Sequence, residues 1–529
     1  MVIGWGNSVL MRVTTKAVGL ATAAAILAVP MLPAWGATLR GALIQAYRGN
    51  PTLTGARAGQ RATDEGVPIA RSQGLPGASA TGTYSEFLLR GIGSRFSPTR
   101  NLAGNVNINV PLYQGGGVRS AVKAADARVD SGRAQLRSTE ANIFVQTVGA
   151  YMDVIRDLSI VELNRGNVRV LQTNLQASKD RFQVGDLTRT DVAQSEARLS
   201  IAQSQLQSAL AQLDSSRENY LNIIGAAPDA LEPPPPLPVF PQSAAAASDL
   251  AIENNPDLIA ARAAARAASY DIRTAQAARL PTLSGFASGG YNDYLGTNPG
   301  TFAGSGETTT FIPARQSQTT GTVGVQLSLP LYQGGLPAAR VRQAKALASQ
   351  AIERVAQVER SVVADARATY SLYAAALGVI ASSERAVTAN ELALEGVRAE
   401  NSVGTRNVLD VLNAEQELLN VRVQLVTARR DAYVAGFALL AALGRAEARN
   451  LGLDNGPLYD PTLNYRQVHN SLSDWKDGPK PVPVAISTAA IPSPTTVVLP
   501  QSAYGPAVPA ASREIPAQPA ANPVTAPRK

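Results

Sequence analysis

Cysteine and histidine, the side chains most used for metal binding and for nucleophilic or acid–base catalysis, are nearly absent from this sequence. The 529 residues include no cysteine and one histidine, His469, which lies in a polar tail where a lone histidine is most often only solvated. There is no glycine-rich phosphate loop, metal-ligand cluster or nucleophile elbow. We therefore predict that the chain is not an enzyme and binds no cofactor or metal.

The net charge of +8 raises the possibility of nucleic-acid binding. The arginines and lysines, however, are scattered among aspartates and glutamates along helical stretches, with no basic run interleaved with aromatic residues. We therefore predict no nucleic-acid partner.

Charged and hydroxyl side chains recur in two matching turns, VGDLTRTDVAQSEARL (184–199) and VGTRNVLDVLNAEQEL (403–418). Gly185 and Gly404 suit the left-handed position just past a helix C-terminus. Asp191 and Asp410, six residues later, are favourable in the first turn of the next helix. The candidate caps of those helices are Thr188 or Thr190 and Thr405 or Asn407. The turns therefore predict two helical hairpins.

The two turns belong to a longer internal repeat. PLYQGG begins at Pro111 and again at Pro330, a shift of 219 residues that also relates the two turns. Such a long repeat indicates a duplicated domain. The predicted boundaries are a first repeat at 37–225, a proline-rich linker at 226–246, a second repeat at 247–455 and a Pro/Ala-rich disordered tail at 456–529.

The N-terminus predicts export. Arg12 and Lys16 precede an apolar stretch from Ala17 to Val29, and a small-residue site ends at Gly36. This order is typical of a secretory signal peptide, which we place at 1–36. A membrane anchor is the weaker interpretation because the apolar stretch is too short to span a bilayer. No other run of about 18 apolar residues occurs, so membrane crossing is left to β-strands.

Each repeat contains two candidate strands before PLYQGG. Apolar and polar residues alternate from 105 to 112 and from 324 to 331, with weaker alternation at 78–90 and 283–295. Period two gives each strand one apolar and one polar face, which suits lipid on one side and water on the other. The predicted strand-to-helix junctions contain Pro111, Tyr113, Gly115, Gly116, Pro330, Tyr332, Gly334 and Gly335.

A long helix should follow each junction, because about 65 residues contain almost no proline or glycine, and each should return through its turn as an antiparallel partner. Four strands per chain cannot close a membrane barrel, so several chains must contribute. Two chains would give eight strands and three would give twelve. The predicted fold is mixed α and β: a transmembrane β-barrel continued by a long periplasmic α-helical barrel of coiled-coil hairpins, internally duplicated.

The PLYQGG junctions, the duplication and the turn sequences resemble the TolC family of outer-membrane efflux proteins over roughly residues 37–455. The resemblance implies a homotrimer with a twelve-stranded barrel in outer-membrane lipid. It implies an exit duct for small molecules or for type I protein secretion, with a periplasmic adaptor and an inner-membrane RND or ABC transporter. The hairpin tips expected to dock the adaptor include Val184, Gly185, Val403, Gly404 and Thr405.

The resemblance also implies a gate at the hairpin tips. Asp410 matches the first acid of the family's constriction, but Asn413 stands in place of the second. Arg406 matches the family's linking arginine, and Thr190 and Asp191 match its partners. Asn401 stands where the family has a linking tyrosine.

The competing class is a periplasmic coiled-coil adaptor or scaffold that forms no channel. An adaptor usually brackets one hairpin with β-rich modules, whereas here the candidate strands form paired hairpins with an apolar face.

Overall fold

The structure is a computed structural model that describes residues 38–88, 97–304, 309–453, 458–485, 487–489 and 491. The signal peptide predicted for 1–36 and the chain from 492 onwards lie outside these residues.

Two similar series of helices and strands follow one another along the chain. The first comprises α1 (Leu39–Gly49), α2 (Pro51–Asp64), α3 (Gly66–Ser72), β1 (Gly77–Glu86), β2 (Arg100–Gln114), α4 (Gly117–Gln183) and α5 (Arg189–Ile224). The second comprises α6 (Ala244–Asn254), α7 (Pro256–Ala277), β3 (Thr282–Asp293), β4 (Thr301–Ala303), β5 (Thr310–Ile312), β6 (Ser317–Ser328), α8 (Leu336–Ser402) and α9 (Val408–Ala442). A short helix, α10 (Leu463–Val468), comes last. The predicted duplication is confirmed, and the extra residues of the second half include the small β4–β5 hairpin.

The repeated Asn-Pro pairs have the same structural role in both halves. Asn50 caps α2 by accepting a 2.9 Å hydrogen bond from the Thr52 N–H, and Asn255 caps α7 through the Asp257 N–H at 2.9 Å. The following proline occupies the first helical turn, where it forfeits no intrahelical hydrogen bond. Each pair thereby fixes the start of a helix that packs against a long helix.

The four longer strands form one antiparallel sheet in the order β1-β2-β3-β6. Directly paired residues share a face, so the register assigns each side chain to one side. One face has Val106, Ile108 and Val110 on β2 and, across β3, Val323 and Val325 on β6. The opposite face is mostly Ser, Thr, Asn and Gln. Val325 is 66% exposed on the apolar face, so this face is uncovered in the single chain.

Pro111 lies inside β2, not at a strand end as expected. It pairs with Ser284, and the register shifts between Pro111 and Tyr113. A β-bulge tolerates the missing N–H of proline because the ladder is already interrupted there. Pro330 lies beyond the end of β6, as expected.

Paired glycines turn each half from strand into helix. Gly115 and Gly116 have φ values of +61° and +75°, and Gly334 and Gly335 have +61° and +81°. A Cβ on Gly115 would also lie 2.8 Å from the Ala277 carbonyl oxygen, so the turn there is both left-handed and tightly packed.

The helices α4 and α8 each contain 67 residues, which gives rods of about 100 Å. They differ in burial: 24 residues of α4 are buried but only seven of α8. The largest core cluster is centred on Phe144, Tyr151 and Tyr220, where α4 meets α1, α5 and α9. No helix of the described chain is long and apolar enough to cross a membrane.

The disordered tail predicted from 456 is wrong for its first part, since residues 458–470 are folded onto the helices. The Tyr465 hydroxyl donates to Asp126 on α4 at 2.9 Å, and Asn464 donates to Asp64 on α2 at 3.1 Å. His469 stacks on Tyr465 with ring centroids 5.1 Å apart. This segment is rich in aromatic and amide side chains, which find buried partners that proline and alanine lack.

Candidate functional site

The two hairpins end in tips of the same geometry. Gly185 and Gly404 both have φ of +83°, and the N–H two residues past each helix bonds back to a carbonyl of the last turn. Val184 and Val403 are 81% and 74% exposed. Together with Thr405, these residues present a small apolar knob beside free turn backbone. Their use in docking an adaptor stays a prediction.

The outer tip, between α4 and α5, is fixed by a capping box. Thr188 rather than Thr190 caps α5: its hydroxyl accepts from the Asp191 N–H at 3.3 Å, and Asp191 accepts from the Thr188 N–H at 2.9 Å. The Thr188 hydroxyl also donates to the same carboxylate at 2.7 Å. These hydrogen bonds lower the pKa of Asp191. The carboxylate is therefore occupied within its own helix.

The inner tip, between α8 and α9, carries a cluster of three charged groups. Arg406 lies 2.7 Å from Glu400 and 3.7 Å from Asp410, and these carboxylates raise the pKa of the guanidinium. Asn401 donates to the Arg406 carbonyl at 2.8 Å, and Asn407 caps α9. Two carboxylates against one guanidinium leave one net negative charge at each inner tip.

The structure thus brings together Arg406 and Asp410 of the predicted gate residues, but not Arg406 with Thr190 or Asp191. In the described part of one chain, Arg406 pairs inside the inner hairpin and Asp191 inside the outer one. A link between them stays a prediction for contacts between neighbouring chains. The role of Asp410 in a pore constriction also stays a prediction.

A different contact, not predicted from the sequence, joins the two hairpins near the tips. Arg198 on α5 donates to the Asn413 side-chain oxygen on α9 at 2.7 Å. Next to it Leu412, only 2% exposed, packs into a cluster with Val168, Leu171 and Ala202 of the outer hairpin. The sequence pattern does not distinguish Arg198 from the other arginines of α5, because its partner is 215 residues away.

A second polar contact joins the hairpins further from the tips. Arg430 on α9 donates to Asp153 on α4 at 2.8 Å, and Asp153 also pairs with Arg156 at 2.9 Å. Arg156 binds Asp157 through two nitrogens at 2.7 and 3.0 Å, which raises the pKa of Arg156. The buried Asp157 also accepts from Ser216 on α5 at 2.6 Å. Each buried charge here has a partner, as a stable interior site requires.

The helices of the inner hairpin are held together by regularly spaced ion pairs. The pairs are Glu384–Arg429 at 2.9 Å, Glu391–Arg422 at 2.7 Å and Arg398–Glu415 at 2.6 Å. Successive pairs are seven residues apart on both helices, which is the spacing of a coiled-coil repeat. These pairs specify the register of α8 against α9. The part of the chain that the structure describes contains no group of acidic or histidine side chains able to hold a metal ion.

Comparison with known proteins agrees with this architecture. The family described as Outer membrane efflux protein matches residues 42–226 and 247–445, one match in each repeat. The outer membrane efflux protein BepC of Brucella suis biovar 1 is 35% identical over 431 residues, which cover 82% of this chain and 90% of BepC. The outer membrane protein TolC of Escherichia coli K12 is 27% identical over 470 residues, covering 84% of this chain and 91% of TolC.

Solved structures share the fold. The outer membrane protein VceC of Vibrio cholerae superposes with a TM-score of 0.63 at 22% identity, covering 77% of this chain and 96% of VceC. The CmeC outer membrane channel of Campylobacter jejuni gives a TM-score of 0.66 at 15% identity, covering 82% of this chain and 89% of CmeC. The relatives match over nearly their whole length, and both repeats match the family. The chain belongs to the outer membrane efflux protein family.

Proposed function

We propose that three copies of this chain assemble into one continuous duct, a twelve-stranded barrel in the outer membrane joined to a helical tube in the periplasm. The membership of the family supports an exit duct in the outer membrane. The number of chains and the partners go beyond that and are the proposal.

The observation that carries the proposal is the open four-stranded sheet. β1 and β6 each have one edge without a partner strand, and the sheet has an exposed apolar face and a polar face. Unpaired edges cannot remain in lipid, because each free N–H and C=O there costs several kcal/mol, or roughly 3. Pairing β6 of one chain with β1 of the next satisfies both edges, with the apolar face towards lipid and the polar face towards water.

The long helices support the same assembly. α8 leaves Leu347, Ile352, Leu372 and Leu392 at least 55% exposed in the single chain. Apolar side chains spaced along a 67-residue helix are best buried against another helix. A neighbouring chain beside α8 would cover them and continue the wall of the tube.

The partners in this proposal are a periplasmic adaptor at the hairpin tips and an inner-membrane RND or ABC transporter. The names of relatives span both kinds of cargo that the sequence leaves open. CzcC of Cupriavidus metallidurans is a cobalt-zinc-cadmium resistance protein, and AprF of Pseudomonas aeruginosa is an alkaline protease secretion protein. We propose efflux of small molecules or type I secretion, without a choice between them.

Planar-bilayer recording tests the proposal. Protein purified from outer membranes in detergent should insert as discrete, long-lived conductance steps. Preparations in which the chains have been heat-dissociated are the matched control and should give none. A protein that stays in solution without detergent and never conducts would instead support the scaffold function.

A further inference from the structure

The inner hairpin is built to move as one body. Its three Arg–Glu pairs, at seven-residue intervals, tie α8 to α9. Leu394 and Leu418, both buried, add an apolar cluster that lies within this hairpin. The corresponding positions of the outer hairpin, 219 residues earlier, include Leu210, Gln172 and Gln203, so most of these ion pairs cannot be repeated there. A movement at the tip would therefore carry α8 and α9 together.

The inner hairpin is fixed to the outer one at a point well above the tips. Arg430 is bound to Asp153, and the charge network behind Asp153 reaches the buried Asp157 and Ser216. Separating these groups would leave buried charges without partners, which is costly. Arg430 is 17 residues from Asn413, or about 25 Å along α9. The segment between them can act as a lever about this network.

The tip end of that lever is held by weaker contacts. Arg198 and Asn413 share one hydrogen bond at the protein surface, and the Leu412 cluster beside it is small. Arg406 and Asp191 are occupied within their own hairpins. The contact that must break first when the inner hairpin leaves the outer hairpin of the same chain is therefore Arg198–Asn413.

We propose that Arg198 and Asn413 form an intrachain latch that holds the duct closed at its periplasmic end. This inference rests on the proposed function as a channel, and it assigns a gating role to Arg198. It also gives Asn413 a purpose: a neutral amide accepts one hydrogen bond from Arg198 and can release it, whereas a carboxylate there would form an ion pair that is harder to break.

Single-channel recording of four variants tests the latch. Arg198→Ala and Asn413→Ala should each raise the population of the high-conductance state roughly two- to tenfold, and the double variant should add nothing further. Asn413→Asp should lower that population below the wild-type level. Arg189→Ala removes the same charge from the same helix, away from Asn413, and should behave as wild type. Effects of the two alanine variants that multiply, or equal effects of Arg198→Ala and Arg189→Ala, would overturn the latch.

Crosslinking tests the contact independently of conductance. Because the chain has no cysteine, Arg198→Cys combined with Asn413→Cys supplies its only thiols. A short bis-maleimide should join them within one chain and hold the channel in its low-conductance state. A crosslink only between chains, or no crosslink in folded protein, would overturn the latch. If wild-type protein forms no pores, the channel proposal fails, while the crosslink still reports whether the hairpins are joined here.

Discussion

Leu412 gives the most quantitative test of how the two hairpins dock. Its side chain is 2% exposed and packs against Val168, Leu171 and Ala202 of the outer hairpin. Leucine-to-alanine changes in closed cores cost about 2.7–5 kcal/mol, and this small cluster near the tips can partly collapse, so we expect about 2–3 kcal/mol for Leu412→Ala. A loss of that size favours undocking of the tip by roughly 30- to 150-fold.

Hydrogen exchange measured by mass spectrometry on the detergent-solubilised protein reads this equilibrium directly. Peptides from 199–206 and 408–413 should exchange faster by up to that factor, while peptides around Tyr151 should not change. Leu394→Ala is the matched control, because Leu394 is 5% exposed but packs only inside the inner hairpin. It should speed exchange in α8 and α9 and leave 199–206 unaffected. Identical exchange patterns for the two variants would refute docking through Leu412.

Two further predictions concern charge. Asp410→Asn removes the net negative charge of the Glu400–Arg406–Asp410 cluster, so block of the channel by divalent cations should weaken roughly tenfold; unchanged block would place the constriction elsewhere. Burial raises the pKa of Glu140, and the nearby Glu447 adds to the effect, so the charged form destabilises the fold and this penalty is lost as pH falls through the raised pKa. Glu140→Gln should therefore raise the melting temperature at pH 7.5 more than at pH 5, and an equal rise at both would contradict this.

Much of the fold was predictable because it is written in local patterns. Proline-free stretches predicted the two rods, and the repeated Asn-Pro pairs occur at matched helix starts. Alternation over a few residues predicted the apolar and polar faces of β2 and β6, since side chains in a strand alternate whatever their partners are. The glycines of PLYQGG predicted the turns because only glycine accepts positive φ easily.

The contacts at the tips were not predictable in the same way. Whether Arg406 meets Asp410 or a residue of the other hairpin depends on the rotation of α9 about its axis, which packing over many turns decides. Arg198 and Asn413 are neighbours only because two hairpins 215 residues apart dock in one register. The folding of residues 458–470 likewise depends on partners such as Asp126 and Asp64, which are distant in sequence.

The assembly can be measured most directly by covalent capture of its strand edges. One cysteine in β1, at Ser79 or Thr81, and one in β6, at Thr320 or Thr322, should form disulfides between chains in outer membranes. Cysteines at Ser79 and Asn107, which pair within one chain, are the control and should leave the apparent mass unchanged. We predict covalent species of two and three chains and none larger. Closed pairs, rings of four, or no linkage between β1 and β6 would contradict the three-chain duct.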